Sequence, residues 1–345
     1  MRDLLQALGA DERLMLQLRG LYEQYGYRHT YVSNLEPYEL FLNNKNFLKS
    51  DAIISFTDSY GKIMALKPDA TLSIVNRVAS ERLDHFERVC YNEKIYRGFK
   101  EINQTGIELV GDIDSYCRIE VILLAVFSLQ IISPDYLIDI SHMGFVSALL
   151  DQVSDDLGLR VQIGQHIHQK NTHDLKKLLD GCDIAQEHKD RILQVPLLYG
   201  PFEKAMEAAR ALCVNPKMSQ AVDELSKIWG VLKDITDVRK LCLDFSIIND
   251  LDYYNGVIFQ GYIENAPQVV LTGGNYDNLM KKLGKQSGAI GFAVYLDQVR
   301  VPAEQPEEDE AVIRYQTEAD IPDIFRQMGE LAAKGARFRV EKEAE

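Results

Sequence analysis

Polar side chains that could bind a small ligand stand at two places in the first third of the chain. Asp69 follows a proline at the end of an apolar run, and Gln104 and Glu108 lie four residues apart in an alternating segment. A carboxylate binds a cationic group through charge-assisted hydrogen bonds, and a primary amide offers both a donor and an acceptor. Brought into one pocket, these groups could hold a ligand with an ammonium group and further polar atoms.

Each of these residues also has a purely structural explanation. Asp69 is well placed to cap the helix that follows it, because a carboxylate there accepts hydrogen bonds from free backbone amides. This role is compatible with ligand binding. Gln104 and Glu108 share one face of a strand, and such a pair is more often a solvated surface than a pocket wall. Both explanations therefore stay open at this point.

Aromatic and glycine pairs later in the chain are similarly ambiguous. Tyr253 and Tyr254 could be ordinary strand residues that face opposite sides of a sheet. Gly273 and Gly274 could form a tight turn, or they could let the backbone approach a ligand closely. A set of histidines lies in a polar helical stretch without the ligand spacing of a metal site, so we expect a surface cluster there and no metal. These residues are His166, His168 and His173.

The elements that would position these groups alternate between strand and helix without regular parallel-sheet spacing. The predicted strands are 27–32, 52–57, 62–66, 89–96, 106–110, 243–248, 257–263, 269–271 and 288–295, with predicted helices at 11–25 and 70–82. Periodicity is mainly helical over about 119–240. The pattern predicts an α+β fold, a mixed and largely antiparallel sheet flanked by helices.

The chain divides at an acidic segment. Residues 303–310 contain Pro306 and five acidic side chains without periodicity, which predicts an exposed linker. Residues 1–302 form the predicted core. Residues 311–345 carry a β-α-β pattern, with strands at 311–315 and 337–341 around a helix at 321–334. That unit is too small to form a core of its own.

Composition limits the function classes. The 345 residues are 46% hydrophobic and carry a net charge of −14, so the surface as a whole repels a nucleic acid backbone. Five scattered cysteines without a CxxC pair indicate reduced thiols. No run approaches 18 uninterrupted apolar residues, and no basic leader precedes an apolar run at the N-terminus. We expect a cytoplasmic protein that neither spans nor binds a membrane.

Three segments read together resemble the signature blocks of the class II histidyl-tRNA synthetase family over about residues 25–300. The first is Leu66-Lys67-Pro68-Asp69-Ala70-Thr71. The second runs from Tyr91 to Gly111 and contains Tyr96-Arg97 and Gln104-Thr105-Gly106-Ile107-Glu108. The third combines Leu251-Asp252-Tyr253-Tyr254-Asn255-Gly256 with the segment Gly273 to Leu279. The resemblance implies a class II synthetase-like core followed by the small C-terminal unit.

The resemblance also implies a histidine-binding pocket. Asp69 would bind the α-ammonium group, Gln104 and Glu108 would contact histidine further, and Tyr254 and Tyr276 would line the side-chain end. The implied binding set is Asp69, Thr71, Arg97, Gln104, Glu108, Tyr253, Tyr254, Gly273, Gly274 and Tyr276. A buried arginine needs a partner, and for Arg97 this would be the carboxylate of histidine or, structurally, Glu93.

Departures from the family pattern fall on groups that the synthetase reaction needs. Ile248-Asn249-Asp250 stands where the family carries an arginine, and loss of such a cation removes roughly 100-fold or more in rate. The loop Gly98 to Glu101 is short, Asp297-Gln298 replaces an ATP-binding arginine, and the C-terminal unit is too short for an anticodon-binding domain. Histidine activation should therefore be nearly abolished, and we expect no catalytic residues and no cofactor.

A retained amino acid pocket without adenylation or tRNA-binding parts resembles the regulatory subunit of short-form ATP phosphoribosyltransferase. This implies a non-catalytic allosteric role in the first step of histidine biosynthesis, with feedback by L-histidine. The expected partners are the catalytic subunit and a second copy of the chain, paired through its N-terminal third, where Ser33 replaces the family's usual proline. The inhibitory histidine could instead bind at the contact with the catalytic subunit.

Two other function classes remain. One is a divergent histidyl-tRNA synthetase-like amino acid ligase that has replaced the missing arginines from elsewhere, and histidine-dependent exchange of pyrophosphate into ATP would identify it. The other is a scaffold related to domains that sense uncharged tRNA. The acidic charge and the short C-terminal unit argue against tRNA binding.

Overall fold

The computed structural model describes residues 8–44, 53–78, 86–248, 254–299, 311–317, 321–334, 336 and 338–342. The chain separates into two compact units, Met1–Arg300 and Val301–Glu345. The helices of the first unit are α1 Ala10–Gln24, α2 Tyr38–Leu42, α3 Ala70–Val78, α4 Ser115–Ile132, α5 Met143–Leu150, α6 Leu157–His168, α7 Thr172–Asp180, α8 Gln186–Gln194, α9 Phe202–Leu212, α10 Pro216–Ile235 and α11 Asp277–Lys282.

The first unit is built on a nine-stranded sheet. Its strands are β1 Arg28–His29, β5 Glu87–Arg97, β6 Lys100–Gly111, β7 Tyr136–His142, β8 Tyr199–Pro201, β9 Leu241–Asp244, β10 Val257–Ile263, β11 Leu271–Asn275 and β12 Gly288–Tyr295. The spatial order is β1-β5-β6-β12-β11-β10-β7-β9-β8. Only the pairs β1–β5 and β7–β9 are parallel within this sheet. The predicted α+β fold with a largely antiparallel sheet is confirmed.

A smaller antiparallel sheet lies between β1 and β5 in the chain, with strands β2 Leu35–Pro37, β3 Ser55–Thr57 and β4 Ile63–Leu66 in the order β2-β4-β3. The predicted hairpin at 52–66 is the β3–β4 pair, with Gly61 in the left-handed region at φ +81°. Its second strand ends directly before Lys67-Pro68-Asp69, so this hairpin positions the first candidate ligand group.

Helix α4 lies at the centre of the helical layer. Its N-cap residue Asp114 accepts a hydrogen bond from the amide of Cys117 at 2.9 Å, and Ser133 ends it. By length and composition this helix could cross a membrane, but half of it is buried inside the protein. It packs on helices α1 and α10 and on strand β10. Core packing therefore accounts for its apolar composition.

Residues 119–240 are mainly helical, as predicted, but they also contain strand β7, which was not predicted. The strand lies between β10 and β9 inside the large sheet, and five of its seven residues are buried. A strand covered on both faces presents an apolar run rather than a clear alternation. The run from Tyr136 to Ile140 therefore gave no separate strand signal within the helical stretch.

Other predicted bounds shift by a few residues. Strand β6 begins six residues earlier than predicted, and β9 spans 241–244 rather than 243–248. The glycine-rich segment at 273–275 belongs to strand β11, so of the two alternatives for Gly273 and Gly274 the tight turn is wrong. Strands at 257–263 and 288–295 have the predicted bounds.

The second unit contains β13 Ala311–Tyr315, helix α12 Ile321–Ala333 and β14 Phe338–Lys342. The two strands pair in parallel, with Ala311 opposite Phe338. Ile313 and Ile324 are its buried apolar residues among those described. The β-α-β pattern predicted for 311–345 is present. The proposed linker 303–310 lies outside the described residues and stays a prediction.

Candidate ligand-binding site

The turn between β4 and α3 brings Asp69 and Arg97 together. One Asp69 oxygen accepts a hydrogen bond from the amide of Leu72 at 2.9 Å, so the capping role is present. The other oxygen lies 3.3 Å from Arg97 Nη2. Arg97 Nε also donates to the carbonyl of Pro68 at 3.1 Å. The turn thus presents a carboxylate and a guanidinium side by side, both partly open to solvent.

A buried ion pair lies beneath this turn. Lys67 is fully buried, and its Nζ lies 2.6 Å from Glu93 Oε2. Glu93 Oε1 accepts a hydrogen bond from the amide of Val32 at 3.0 Å. Glu93 therefore partners Lys67, and the alternative that it partners Arg97 is wrong. The pair of Lys67 with Glu93 was not predicted from the sequence. Lys67 follows an apolar strand and precedes a proline, and this position was a signal that the lysine is buried.

Glu108 is the most deeply enclosed carboxyl of the candidate set, with 1% of its surface exposed. Thr71 Oγ1 donates to Glu108 Oε1 at 2.7 Å, and the hydroxyl of Tyr276 donates to Oε2. Burial raises the pKa of Glu108 to about 8, and the hydrogen bonds from Tyr276 and Thr71 oppose that rise. The interpretation of this strand face as a solvated surface is wrong.

Gln104 lies on the same strand and is also buried, with 3% of its surface exposed. Tyr254 is partly buried beside the carboxyls, and its pKa is raised by burial and then by nearby Tyr295, Asp69 and Glu108. The structure therefore gathers the candidates from three distant segments into one region. Tyr253 lies outside the described residues, as do Asn249 and Asp250.

The glycines of β11 are explained by contacts between protein atoms. A Cβ on Gly273 would lie 2.5 Å from the ring of Phe259, and one on Gly274 would lie 2.7 Å from Ile258 Cγ2. On the neighbouring strand, a Cβ on Gly291 would lie 1.9 Å from Glu108 Oε2. Gly291 therefore makes room for the buried carboxyl. It was not predicted, because cross-strand register is not visible in the sequence.

The predicted short loop between β5 and β6 is shorter still in the structure. Arg97 pairs directly with Lys100, which leaves a two-residue loop of Gly98 and Phe99. Gly98 adopts the left-handed conformation, at φ +58°, that such hairpin turns require. Asp297 Oδ2 accepts a hydrogen bond from the amide of Asn103 at 2.6 Å. We expected this region to lack a nucleotide clamp. The structure has a tight hairpin there, beside the carboxylate of Asp297.

No metal site is found within the described part of the chain, where no three His, Cys, Asp or Glu side chains come together as a ligand set. His168 hydrogen-bonds to the carbonyl of Ser246 at 3.2 Å. His166 is partly buried and His173 is exposed. This arrangement differs from a shared metal centre.

Comparison with known sequences identifies the family to which this chain is similar. A family model described as histidyl-tRNA synthetase matches residues 1–299. A protein of Oceanobacillus iheyensis named ATP phosphoribosyltransferase regulatory subunit is 30% identical over 300 residues, covering 84% of this chain and 74% of the relative. A protein of Clostridium kluyveri with the same name is 27% identical, covering 95% of this chain and 89% of the relative.

Solved structures share the fold. A structure from Bacillus halodurans, described as an ATP phosphoribosyltransferase regulatory subunit/histidyl-tRNA synthetase, has a TM-score of 0.82 at 24% identity, covering 96% of this chain and 88% of that one. A chain of an ATP phosphoribosyltransferase complex from Thermotoga maritima has a TM-score of 0.65 at 18% identity, covering 83% and 97%. Histidyl-tRNA synthetase from Nostoc has a TM-score of 0.75 at 16% identity, covering 98% and 84%.

Proposed function

The chain belongs to the histidyl-tRNA synthetase family, and from that premise we propose that it is a non-catalytic, histidine-sensing regulatory subunit of a short-form ATP phosphoribosyltransferase. Curated relatives that span most of the chain carry the name of such a regulatory subunit. A structure with the same fold is part of an ATP phosphoribosyltransferase complex. The partner we propose is therefore the short catalytic subunit of that enzyme.

The observation that carries the proposal is the enclosed Glu108 beside the Asp69–Arg97 pair. A free amino acid brings one ammonium and one carboxylate, and Asp69 and Arg97 offer the matching charges 3.3 Å apart. Glu108 and Tyr276 would meet the imidazole, whose nitrogens serve as donor or acceptor according to protonation. The site thus has a group for each polar part of histidine.

The same region supports a non-catalytic role. Activation of a carboxylate by ATP develops negative charge, which synthetases stabilise with cations. Here a two-residue hairpin replaces the expected nucleotide loop, and the carboxylate of Asp297 lies at the amide of Asn103. We infer that histidine binds and is not adenylated, so that binding energy is available for shifting the arrangement of the complex. A coupling of about 1–3 kcal/mol is enough for effective feedback.

The test is calorimetric titration of the full chain with L-histidine, alone and with the short catalytic subunit. Asp69→Ala and Glu108→Ala should each weaken binding by about tenfold or more, because each removes a carboxyl group that would hydrogen-bond to the ligand. Asp180→Ala is the matched control, since Asp180 pairs with Lys176 on an exposed helix face. Binding that appears only with the catalytic subunit and survives both substitutions would move the sensor to the subunit interface.

The ligase alternative predicts a different signal. A ligase should support histidine-dependent exchange of pyrophosphate into ATP, whereas a regulatory subunit should show none above background. The same preparation used for titration serves for this assay, so a folded, histidine-binding protein without exchange would exclude the ligase.

A further inference from the structure

A second cavity lies at one end of the large sheet, where β7 and β11 end and β10 begins. It has a volume of ≈ 370 Å³ and is enclosed by residues of α4, α5 and α10. That volume lies within the range of about 300–1,000 Å³ typical of small-molecule sites. Of the described residues proposed to bind histidine, only Tyr254 also lines this cavity. The cavity is therefore a neighbour of the first site rather than a part of it.

Charged groups of both signs are fixed in its wall. His142 Nε2 lies 3.2 Å from Glu224 Oε2, and His142 Nδ1 accepts a hydrogen bond from the amide of Gly144 at 3.1 Å. The amide contact leaves the ring proton on Nε2, facing the carboxylate. Arg118 Nε donates to Asn275 Oδ1 at 3.2 Å and lies 3.9 Å from the same Glu224 oxygen. These contacts hold a carboxylate and a guanidinium close together in the wall.

Two amides in the lining have atoms that lack a partner. Because Asn275 Oδ1 accepts from Arg118, its Nδ2 must be the remaining donor, and this atom is buried with no hydrogen bond within the described residues. Asn255 Nδ2 donates to Asp277 Oδ2 at 3.2 Å, and its Oδ1 is likewise buried without a partner there. A buried polar atom left unpaired destabilises the folded protein, and a ligand that pairs with it removes that cost. The wall thus holds one unused donor and one unused acceptor.

Side chains of both charges also lie at the rim of the cavity. Lys217 Nζ lies 3.6 Å from Asp151 Oδ2, and the lysine side chain is 77% exposed. A phosphate or another pure anion would meet the carboxylates that line the cavity, and a simple cation would meet Arg118 and Lys217. A small molecule with one group of each charge can pair with both and can satisfy the two asparagines.

We propose that this cavity is a second ligand site for a zwitterion of free amino acid size, separate from the site around Glu108. Arg118 and Lys217 bind its carboxylate, Glu224 and Asp151 bind its ammonium group, and the free atoms of Asn275 and Asn255 bind its remaining polar atoms. Tyr254 borders both sites, so a ligand in the cavity contacts the residue that bounds the first site.

The test is calorimetric titration of the full chain with millimolar concentrations of each of the standard L-amino acids except histidine, because histidine is expected to bind at Glu108. At least one amino acid should bind, and Arg118→Met should weaken its affinity by about tenfold or more. Glu108→Gln and the control Arg239→Met, which alters an exposed pair with Asp237, should leave that binding within about twofold of wild type. Lys217→Met, an exposed rim change with little risk to folding, should weaken it by about threefold.

Three results would overturn the proposal. These are binding of none of the amino acids, binding that Arg118→Met and Lys217→Met leave unchanged, and binding that Glu108→Gln abolishes. If Arg118→Met does not fold, Lys217→Met decides. The outcome does not depend on the proposed regulatory function, because failure of histidine to bind at Glu108 leaves the cavity and its expected ligand unchanged.

Discussion

Glu108 is held by hydroxyl groups rather than by a positive charge. Thr71 and Tyr276 each donate to one of its oxygens, and burial raises its pKa to about 8. A carboxyl in this state exchanges a proton with a ligand near neutral pH more readily than an exposed glutamate does. An imidazole, which also titrates near neutral pH, is a chemically suitable partner for it.

Removal of the Tyr276 hydroxyl should weaken histidine binding without unfolding the chain. Tyr276→Phe leaves the buried ring and deletes one hydrogen bond to Glu108, so we expect an affinity about tenfold lower. Tyr262→Phe is the control, since that hydroxyl donates to Gln260 at 3.0 Å away from the site. Calorimetry on both variants checks the expectation, and equal affinities would remove Tyr276 from the pocket.

Glu108 should also make stability depend on pH. Below about pH 4.5 the carboxyl is protonated in the folded and the unfolded chain, so it contributes no pH dependence. Between about 4.5 and 8 the unfolded chain releases the proton first, so stability falls as pH rises. Above about 8 both states are ionised and the loss is complete.

Glu108→Gln removes this titration. Between pH 5 and pH 9 the free energy of unfolding of wild type should therefore fall by about 3–5 kcal/mol relative to that of the variant. Urea denaturation at a series of pH values measures the difference. Two curves that stay parallel throughout would show that Glu108 ionises as freely in the folded protein as in the unfolded chain.

Among the elements, strand β11 packs so closely against strand β10 that its glycines have no room for a side chain. A Cβ on Gly274 would lie 2.7 Å from Ile258 Cγ2 and 2.8 Å from the carbonyl of Val257. Gly274→Ala should therefore lower the free energy of unfolding by about 1–3 kcal/mol. Gly230→Ala is the matched control in helix α10, where the added methyl meets open space. It should stabilise the protein by about 0.5–1 kcal/mol. Chemical denaturation distinguishes the two, and a neutral Gly274→Ala would mean that the strand can shift to admit a side chain.

Strands that lie between clear turn signals were predictable, even where most of their residues are buried. The runs 257–263 and 288–295 lie between clear turn signals, and their bounds match the structure. Strand β7 was missed because its short apolar run shows no clear alternation and lies within a long stretch of helical periodicity. Gly273 and Gly274 were ambiguous because the close approach of Phe259 and Ile258 depends on strand pairing. Local sequence contains no information on that pairing.

The candidate site was predictable only in part, because its contacts also join residues that lie far apart in the sequence. Asp69, Glu108 and Tyr276 stand 39 and 168 residues apart in succession, and only resemblance to a family predicted that they meet. The structure brings them together as expected. The pair of Lys67 with Glu93 was missed, since a contact across 26 residues between two buried charges has no local signature.

At the scale of the whole molecule, the chain combines an acidic composition with a synthetase-like fold. Its candidate ligand site has no nucleotide clamp among the described residues. The net charge of −14 disfavours nucleic acid, and the two-residue hairpin replaces the loop that would hold ATP. In the proposed function, this fold recognises an amino acid and transmits its presence to a partner.

The measurement that tests this account most directly is the rate of ATP phosphoribosylation by the short catalytic subunit of the same organism. It is measured with and without this chain and with and without L-histidine. We expect the chain to be needed for full activity, and histidine to inhibit the complex with wild-type chain but not with Glu108→Ala. A catalytic rate unchanged by the chain, or equal inhibition with Glu108→Ala, would contradict the central claim that the pocket at Glu108 is the regulatory sensor.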